Sequence, residues 1–318
     1  MRFSFKTLDY QTRAAESVAR VFEGQPRASA GTNFTAGGAL YDASGQSLML
    51  NTFVGSGNSE ILLSDEELDA NIAKVQRGNN IRRERRKQGE GAPLGRVTLD
   101  VEMETGTGKT YVYTKAIYEL NRRYGWTKFI IVTPSIAIRE GVRKSFSMTK
   151  SHFFAEYGTK VRYFVYSGAN LTDIQTFASS ADINVMIINT QAFAASFNEE
   201  NRRSKVSRII YSKRDNFGSF RPIDIIAATR PILILDEPQK MGKEGSVTQR
   251  ALRSFAPLFS LNCSATHAVH HRTIYTLDAL DAYNQKLVKR IEVKELEAKN
   301  LTGCGKYMYL GEILVSSS

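Results

Sequence analysis

Cysteine and histidine are scarce in this chain of 318 residues, which contains two cysteines and four histidines. Cys263 and Cys304 form no Cys-x-x-Cys pair. The sequence therefore supports neither a disulfide framework nor a zinc site built from cysteine and histidine. Cys263 lies in an apolar run, and we interpret it as a core residue.

Long apolar runs are also lacking. No stretch reaches the roughly 18 uninterrupted apolar residues that a membrane span needs. The first residues, Met1 to Lys6, have no apolar core of the kind found in secretory signals. With a hydrophobic content of 42%, we expect a globular protein of the cytoplasm that has one large or two modest domains and no membrane partner.

Acidic residues are outnumbered by basic ones, 32 against 43, which gives a net charge of +11. This excess favours a polyanionic partner without identifying it. The basic run from Arg82 to Lys87 could hold phosphates, each adding about −0.9 to the log–log salt slope for duplex DNA. The alternative is a solvated, charged helix end.

The first 95 residues read as a helix followed by an insertion. Apolar residues between Ala14 and Phe22 have helical spacing, so residues 1–22 are predicted to form an N-terminal helix packed by one face. Residues 23–95 are rich in Gly, Ser, Asn and Ala, and a helix opens within them at Ser64, with Glu67 in capping-box position. We expect residues 23–95 to be an insertion within the same domain.

From residue 96 onward, short β-branched runs alternate with helical stretches. The predicted strands are Val97–Met103, Phe129–Thr133, Val161–Tyr166, Val185–Asn189, Ile232–Asp236 and Leu258–Cys263. This alternation predicts an α/β fold, with a mostly parallel sheet, helices on both faces, and a core at residues 96–275.

Two further stretches lie within and beyond that core. Residues 198–216 are polar and basic, and we interpret them as a surface loop or irregular helix. Residues 276–318 are expected to begin a following segment. There we predict a helix near Leu277–Tyr283 and strands at Leu287–Val293 and Tyr307–Val315.

The segment from Met103 to Thr110 has the pattern of a phosphate-binding loop, although Met103 stands where the first glycine is usual. It lies between a predicted strand and a predicted helix at Tyr111–Arg123, the context that the motif requires. Its two glycines let successive N–H groups turn inward as an anion nest at the helix N-terminus. Lys109 is expected to reach the β- and γ-phosphates of ATP, and the Thr110 hydroxyl to bind Mg²⁺. The predicted nucleotide-binding residues of the loop are Thr105, Gly106, Thr107, Gly108, Lys109 and Thr110. A glycine-rich turn without a ligand is the alternative.

A second set of candidate residues ends two other strands. In open α/β sheets, ligands bind at the carboxyl ends of the strands, where Asp236 and Glu237 emerge. We assign Asp236 to Mg²⁺ and Glu237 to orienting and deprotonating water, with Lys109 as the third catalytic residue. Ser264 and Thr266 could hydrogen-bond these carboxylates and couple to the γ-phosphate state. A plain strand-to-loop exit is the alternative for that pair.

In order and spacing, residues 103–110, Asp-Glu-Pro-Gln at 236–239 and Ser-Ala-Thr at 264–266 resemble motifs I, II and III of superfamily-2 helicases. Together with residues 133–141 and 277–284, they look most like the Res subunit of type III restriction endonucleases. The Asp-Glu-Pro-Gln form departs from the forms found in the common RNA helicase branch. The resemblance implies a recombinase-like P-loop NTPase fold, with ATP and Mg²⁺ as cofactors. It also implies double-stranded DNA and a modification methyltransferase subunit as partners.

The resemblance also implies roles for four further residues. Gln11 is expected to read the adenine base, since its amide offers both a donor and an acceptor. Ser135, Arg139 and Thr190 are expected to contact the DNA backbone without reading its sequence. Ordinary strand-to-helix turns are the alternative for these last three.

Members of that family couple ATP hydrolysis to movement on DNA and cut it with a nuclease domain further downstream. No second motor domain or nuclease is recognisable here, and only 25 residues follow Val293. We therefore expect an N-terminal ATPase portion that is weak or inactive alone. One alternative is a nucleotide-gated module that binds DNA or a partner without autonomous catalysis. Another is a P-loop phosphotransferase, which the lack of a recognisable acceptor pocket disfavours.

Overall fold

The computed structural model describes residues 5–28, 32–36, 40–41, 47–48, 53–82, 93–194, 209–213, 220–242, 245–267 and 269–288. Its helices are α1 (Asp9–Arg20), α2 (Asp65–Gly78), α3 (Lys109–Tyr124), α4 (Ile136–Tyr157), α5 (Thr172–Ser179), α6 (Pro222–Ala228), α7 (Val247–Arg253) and α8 (Ala279–Asn284). Its strands are β1 (Thr32–Ala36), β2 (Leu40–Tyr41), β3 (Ser47–Leu48), β4 (Phe53–Gly57), β5 (Thr98–Met103), β6 (Lys128–Thr133), β7 (Val161–Val165), β8 (Ile183–Asn189), β9 (Ile232–Asp236), β10 (Ser260–Ser264) and β11 (Arg272–Leu277).

Seven strands form one sheet in the order β11-β5-β10-β9-β6-β8-β7, and every pairing in it is parallel. Strands β6, β8, β9 and β10 are buried along their whole length. Strands of a parallel sheet covered on both faces are expected to be continuous apolar runs, which is how β6 and β9 read.

Helices cover both faces of the sheet. On one face, α1 to α4 pack on residues such as Val101, Ile131 and Ile234. On the other, α5, α6 and α7 pack on alternating residues of the same strands, such as Ile130 and Leu233. The predicted α/β fold, with a mostly parallel sheet and helices on both faces, is confirmed. No helix in the described ranges combines the length and apolar composition needed to cross a bilayer.

The segment before the phosphate loop packs onto this core. Helix α1 buries Ala14, Val18 and neighbouring residues, as its helical spacing predicts. Helix α2 begins with the predicted capping box: Glu67 N donates to Ser64 Oγ over 3.2 Å, and Ser64 N donates to Glu67 Oε2 over 2.8 Å. Short antiparallel pairs, β1 with β4 and β2 with β3, lie between the two helices in sequence.

Hydrogen bonds of Asn58 connect the end of β4 to the seven-stranded sheet. Its side-chain amide donates to the carbonyl oxygens of Lys128 and Arg230 over 2.9 and 3.0 Å. Its Oδ1 accepts from the N–H groups of Thr127 and Lys128 over 2.8 and 3.0 Å. Asn58 is 1% exposed, so water cannot take the place of its amide as the hydrogen-bond partner of these backbone groups.

Strand β11 was not predicted from the sequence, and it extends the sheet beyond β5. The N–H of His271, just before β11, donates to the buried Asp100 Oδ2 of β5 over 2.6 Å. From α2 and its C-terminus, Gln76 and Asn79 donate to carbonyl oxygens of β11 over 2.9 and 2.7 Å. Backbone groups of this edge strand and of the residue before it are therefore hydrogen-bonded by partners far away in sequence.

The segment after β11 differs from the sequence prediction in the bounds of its helix, which ends at Asn284, and in Leu287 and Val288, which are not in a strand. The helix expected near Leu277–Tyr283 begins at Ala279, because Leu277 still pairs with Met103 in the sheet. The predicted strand Tyr307–Val315 and all of Leu287–Val293 beyond Val288 lie outside the described residues, as do most of 198–216 and the basic run after Arg82. The division of the chain into domains stays a prediction.

Replacing Asn58 with alanine should destabilise the protein by roughly 2–4 kcal/mol, because it leaves buried backbone donors and acceptors without partners. Urea unfolding of Asn58→Ala against the unsubstituted protein measures this loss. Asn170→Ala is the matched control, since the side chain of the exposed Asn170 donates to Asp173 Oδ2 and contacts no buried backbone group. Equal effects of the two substitutions would contradict the role given to Asn58.

Candidate functional site

The phosphate-loop segment links the end of β5 to the start of α3. Gly106 and Gly108 have φ angles of +87° and +91°, in the left-handed region where residues with a Cβ are strained. Gly108 is the N-terminal cap of α3, so the loop delivers its N–H groups to the positive end of that helix. This is the turn that the sequence predicted.

Helix α1 holds the loop from one side. The Tyr10 hydroxyl donates to the carbonyl oxygen of Thr107 over 2.8 Å, and Gln11 Nε2 donates to the same oxygen over 3.0 Å. A Cβ on Gly108 would lie 2.4 Å from Gln11 Nε2, so a side chain at position 108 would displace this amide from the loop. Gln11 is therefore a loop-supporting residue, and its expected contact with adenine stays a prediction.

Lys109 lies at the start of α3 and reaches across to the end of β9. Its Nζ is 3.2 Å from Glu237 Oε1 and donates to the Met103 carbonyl over 3.2 Å. Both charged side chains are largely buried, 10% and 16% exposed. The three predicted catalytic residues thus meet at the carboxyl ends of the strands, which we call the carboxyl edge of the sheet, with Asp236 next to Glu237.

Asp236 ends β9 opposite Cys263 of β10 and is 6% exposed. Burial, with the charge of Glu237 beside it, raises the pKa of Asp236 to about 6, although Lys109 acts in the opposite direction. The Tyr113 hydroxyl lies 3.4 Å from Asp236 Oδ2 and 3.3 Å from Thr110 Oγ1. The two residues predicted to bind Mg²⁺ are therefore connected through one tyrosine.

Glu237 follows β9 in a left-handed conformation with φ +59°, and its N–H donates to the Cys263 carbonyl over 2.9 Å. Its Oε2 accepts from Gln239 Nε2 over 2.5 Å and lies 3.2 Å from Ser264 Oγ. Burial acts to raise the pKa of Glu237, but Lys109 and the hydrogen bonds from Gln239 and Ser264 outweigh it. The pKa is lowered, and the carboxylate stays ionised at neutral pH.

Ser264 connects β10 to this carboxylate. Its hydroxyl lies 2.9 Å from Gln239 Oε1 and 2.7 Å from the carbonyl oxygen of Thr266, besides Glu237. The N–H of Thr266 donates back to Ser264 Oγ over 3.2 Å. Ser264 is thus in contact with the acidic pair. Thr266 takes part through its backbone, and the coupling role of both residues stays a prediction.

Ser135, Arg139 and Thr190 are brought together where the neighbouring strands β6 and β8 end. Ser135 caps α4 by accepting from Ile138 N over 3.3 Å, and Thr190 Oγ1 donates to the Pro134 carbonyl over 3.4 Å. Arg139 donates to Asn189 Oδ1 over 3.1 Å. These residues form a polar surface on the same edge as the phosphate loop, and their contact with DNA stays a prediction.

Sequence reasoning missed the contacts that three residues make in this site. The hydroxyls of Tyr10 and Tyr113 meet residues 97 and 123 positions away, and no local pattern records these contacts. Gln239 was noted only as a departure from better-known forms of its motif. Its hydrogen bond to Glu237 shows what the glutamine does there.

The donors at this edge fit a nucleoside triphosphate with magnesium. Mg²⁺ prefers oxygen ligands and is usually held by one or two protein oxygens, with phosphates and water completing its shell. Thr110 and Asp236 offer such oxygens, and within the described ranges no three His, Cys, Asp or Glu residues could hold a metal together. Apart from Gly106 and its two chain neighbours, no described residue has an atom within 4 Å of where a Cβ on Gly106 would be, so space is open above the loop backbone.

Comparison with known proteins gives consistent matches. The family described as "Type III restriction enzyme, res subunit" matches residues 4–269. The type III restriction-modification enzyme EcoPI Res subunit of Escherichia phage P1 is 31% identical over 253 residues, which is 74% of this chain and 25% of that protein. The EcoP15I Res subunit of Escherichia coli is 31% identical over 254 residues, with the same two shares. The matched part thus spans about a quarter of these curated relatives.

Among solved structures, the Sulfolobus solfataricus SWI2/SNF2 ATPase core in complex with dsDNA is similar with a TM-score of 0.33 and 11% identity. The match covers 66% of this chain and 33% of that one.

Asp236→Asn should stabilise the protein when nucleotide and metal are absent. Folding raises the pKa of the Asp236 carboxyl from 3.8 to about 6. The ionised form is thus disfavoured on folding, and stability from this group is lost as pH rises from about 4 to about 6. Urea unfolding at pH 7 in EDTA should show a gain of roughly 1–3 kcal/mol that vanishes near pH 4. Asp173→Asn, at a half-buried position on α5, is the control. A less stable Asp236→Asn protein at pH 7 would refute the expectation.

Proposed function

This chain belongs to the family of type III restriction enzyme Res subunits, and we propose on that premise that it is the ATP-binding half of a motor that moves along double-stranded DNA. The site binds Mg-ATP between the phosphate loop and the acids that end β9. Hydrolysis at this site drives movement of the enzyme toward the place of cleavage.

The observation that carries the proposal is the ion pair between Lys109 and Glu237, 3.2 Å long, at the end of the phosphate loop. Without nucleotide, each side chain neutralises the other in a largely buried place. Phosphate oxygens offer Lys109 more negative charge than one carboxylate does. Lys109 then shifts to the phosphates, and Glu237 becomes available to a water molecule.

Glu237 is suited to that second task. Its pKa is lowered by Lys109 and by hydrogen bonds that overcome the effect of burial, so it is ionised and can accept a proton. Gln239 and Ser264 hold the other carboxylate oxygen, which fixes the orientation of the group. Bound Mg²⁺ would neutralise charge on the phosphates, with Thr110 and Asp236 as its protein ligands.

Turnover needs more than these residues. P-loop enzymes gain about 10³–10⁵ in rate from an arginine that a second domain or partner supplies. We propose that such a group completes this site when DNA is bound, and that Ser264 transmits the state of Glu237 along β10. The isolated chain would then bind ATP and turn it over slowly.

The DNA contact is proposed at the polar surface of Ser135, Arg139 and Thr190. This polar surface lies at the ends of β6 and β8, on the carboxyl edge that also carries the nucleotide site. A movement of the nucleotide site can therefore displace the polar surface. The net charge of +11 favours a polyanion. A modification methyltransferase subunit is the expected protein partner, and the cytoplasm the expected location, since that is where restriction enzymes meet DNA.

Two substitutions separate binding from hydrolysis in the full-length protein. Lys109→Ala should abolish nucleotide binding or turnover, because it removes the positive charge that meets the phosphates. Glu237→Gln should still bind ATP but lose about 10²–10⁴ in turnover, because the amide cannot take a proton. Phosphate release and equilibrium binding of a fluorescent ATP analogue measure the two effects.

Lys74→Ala and Glu66→Gln, both exposed on α2, are the matched controls and should change neither quantity. Undiminished hydrolysis in Lys109→Ala or Glu237→Gln would show that the site has been assigned wrongly.

A further inference from the structure

Tyr113 lies one helical turn after Thr110 on α3, and its side chain is fully buried beneath the phosphate loop. Its hydroxyl lies between Thr110 Oγ1 at 3.3 Å and Asp236 Oδ2 at 3.4 Å. These partners come from different elements and are the two residues to which Mg²⁺ is assigned above. One buried hydroxyl thus touches both.

The chemistry of the three groups determines how their protons are arranged. A phenol has one proton to donate, and an ionised carboxylate can only accept. The Tyr113 proton therefore goes to Asp236, and Tyr113 accepts the proton of Thr110. With its proton turned inward, the Thr110 oxygen keeps its lone pairs for a cation, and the other carboxylate oxygen of Asp236 stays open to the same cation.

We propose that Tyr113 is a positioning residue for Mg²⁺, which orients the Thr110 hydroxyl and the Asp236 carboxylate before the metal arrives. This inference rests on the proposed function, because it concerns the same nucleotide site. Both contacts are long for hydrogen bonds, and such contacts commonly tighten only when a site is filled.

Packing alone does not account for a hydroxyl at this place. A phenylalanine would fill the same volume without carrying a polar atom into the core, where a hydroxyl is costly unless it is hydrogen-bonded. Tyr118, on the same helix, shows the contrasting case. Its ring stacks on Phe153 and Tyr157 at centroid distances of 5.1 and 4.9 Å, so packing explains that aromatic residue.

Tyr113→Phe removes the bridging oxygen and keeps the ring. The test measures the dissociation constant of a fluorescent, non-hydrolysable ATP analogue for the full-length protein, in saturating Mg²⁺ and in excess EDTA. The expected result is that the tightening due to Mg²⁺ falls about three- to tenfold, the range that one buried hydrogen bond contributes. Affinity in EDTA should stay as in the unsubstituted protein.

Tyr124→Phe is the matched control, because Tyr124 ends the same helix and donates to the Ala19 carbonyl over 2.7 Å, away from the site. It should lower the unfolding midpoint about as much as Tyr113→Phe and leave the metal dependence of nucleotide binding unchanged. Equal weakening by Tyr113→Phe with and without metal would show a merely structural role and overturn the inference.

A double substitution tests whether Tyr113 acts through Thr110. In a Thr110→Val background, the hydroxyl that Tyr113 orients is gone, so adding Tyr113→Phe should reduce the metal-dependent tightening by less than it does alone. Full additivity of the two losses would contradict the proposal.

Two outcomes distinguish failure of this inference from failure of the proposed function. Absence of metal-dependent nucleotide binding in the unsubstituted protein would overturn both. Normal metal-dependent binding that Tyr113→Phe leaves unchanged would overturn this inference alone.

Discussion

The parallel register of β5, β10 and β9 is the constraint on which the site depends. Cys263 in β10 lies opposite Asp236 on one side and Val101 on the other, so the three strands end within two residues of the same level. The phosphate loop leaves β5 and the acids leave β9, with β10 between them. A slip of one residue in β9 would turn Asp236 to the opposite face of the sheet. Apolar strands that carry no chemistry thus fix where the chemistry takes place.

Burial of charged groups at the carboxyl ends of these strands carries a desolvation cost, which raises the pKa of Asp236 and which Lys109 and hydrogen bonds outweigh at Glu237. Lys109 and Glu237 have lost most of their water, and a buried pair of this kind regains the cost of desolvation only with good geometry and further hydrogen bonds. Glu237 also adopts a left-handed backbone conformation, which costs a residue with a side chain about 1–2 kcal/mol. Each of these costs arises at a residue that would contact a phosphate, a cation or a water molecule in the proposed site. Anchors such as Tyr10 and Gln11, which hold the loop through the Thr107 carbonyl, keep the arrangement in place.

Local patterns in the sequence were sufficient for the central sheet and the phosphate loop. Strand Ile232–Asp236 is a run of four apolar residues before an acid, and it forms where that pattern predicts. Strand β11 was missed because it is a short edge strand whose partners come from α2 and β5, far away in sequence. The roles of Asn58 and Tyr113 were missed for a related reason: their contacts join positions as far apart as 172 and 123 residues, which no local pattern records. Long-range polar contacts therefore had to be read from the structure.

The assignment of this nucleotide site to a DNA-driven motor is tested most directly by the rate of ATP hydrolysis in the full-length protein as duplex DNA is added. A motor should hydrolyse ATP slowly without DNA, at a rate that rises and saturates with duplex concentration. ATP binding with a hydrolysis rate that duplex DNA leaves unchanged would contradict the assignment, and would favour a nucleotide-gated binding module instead.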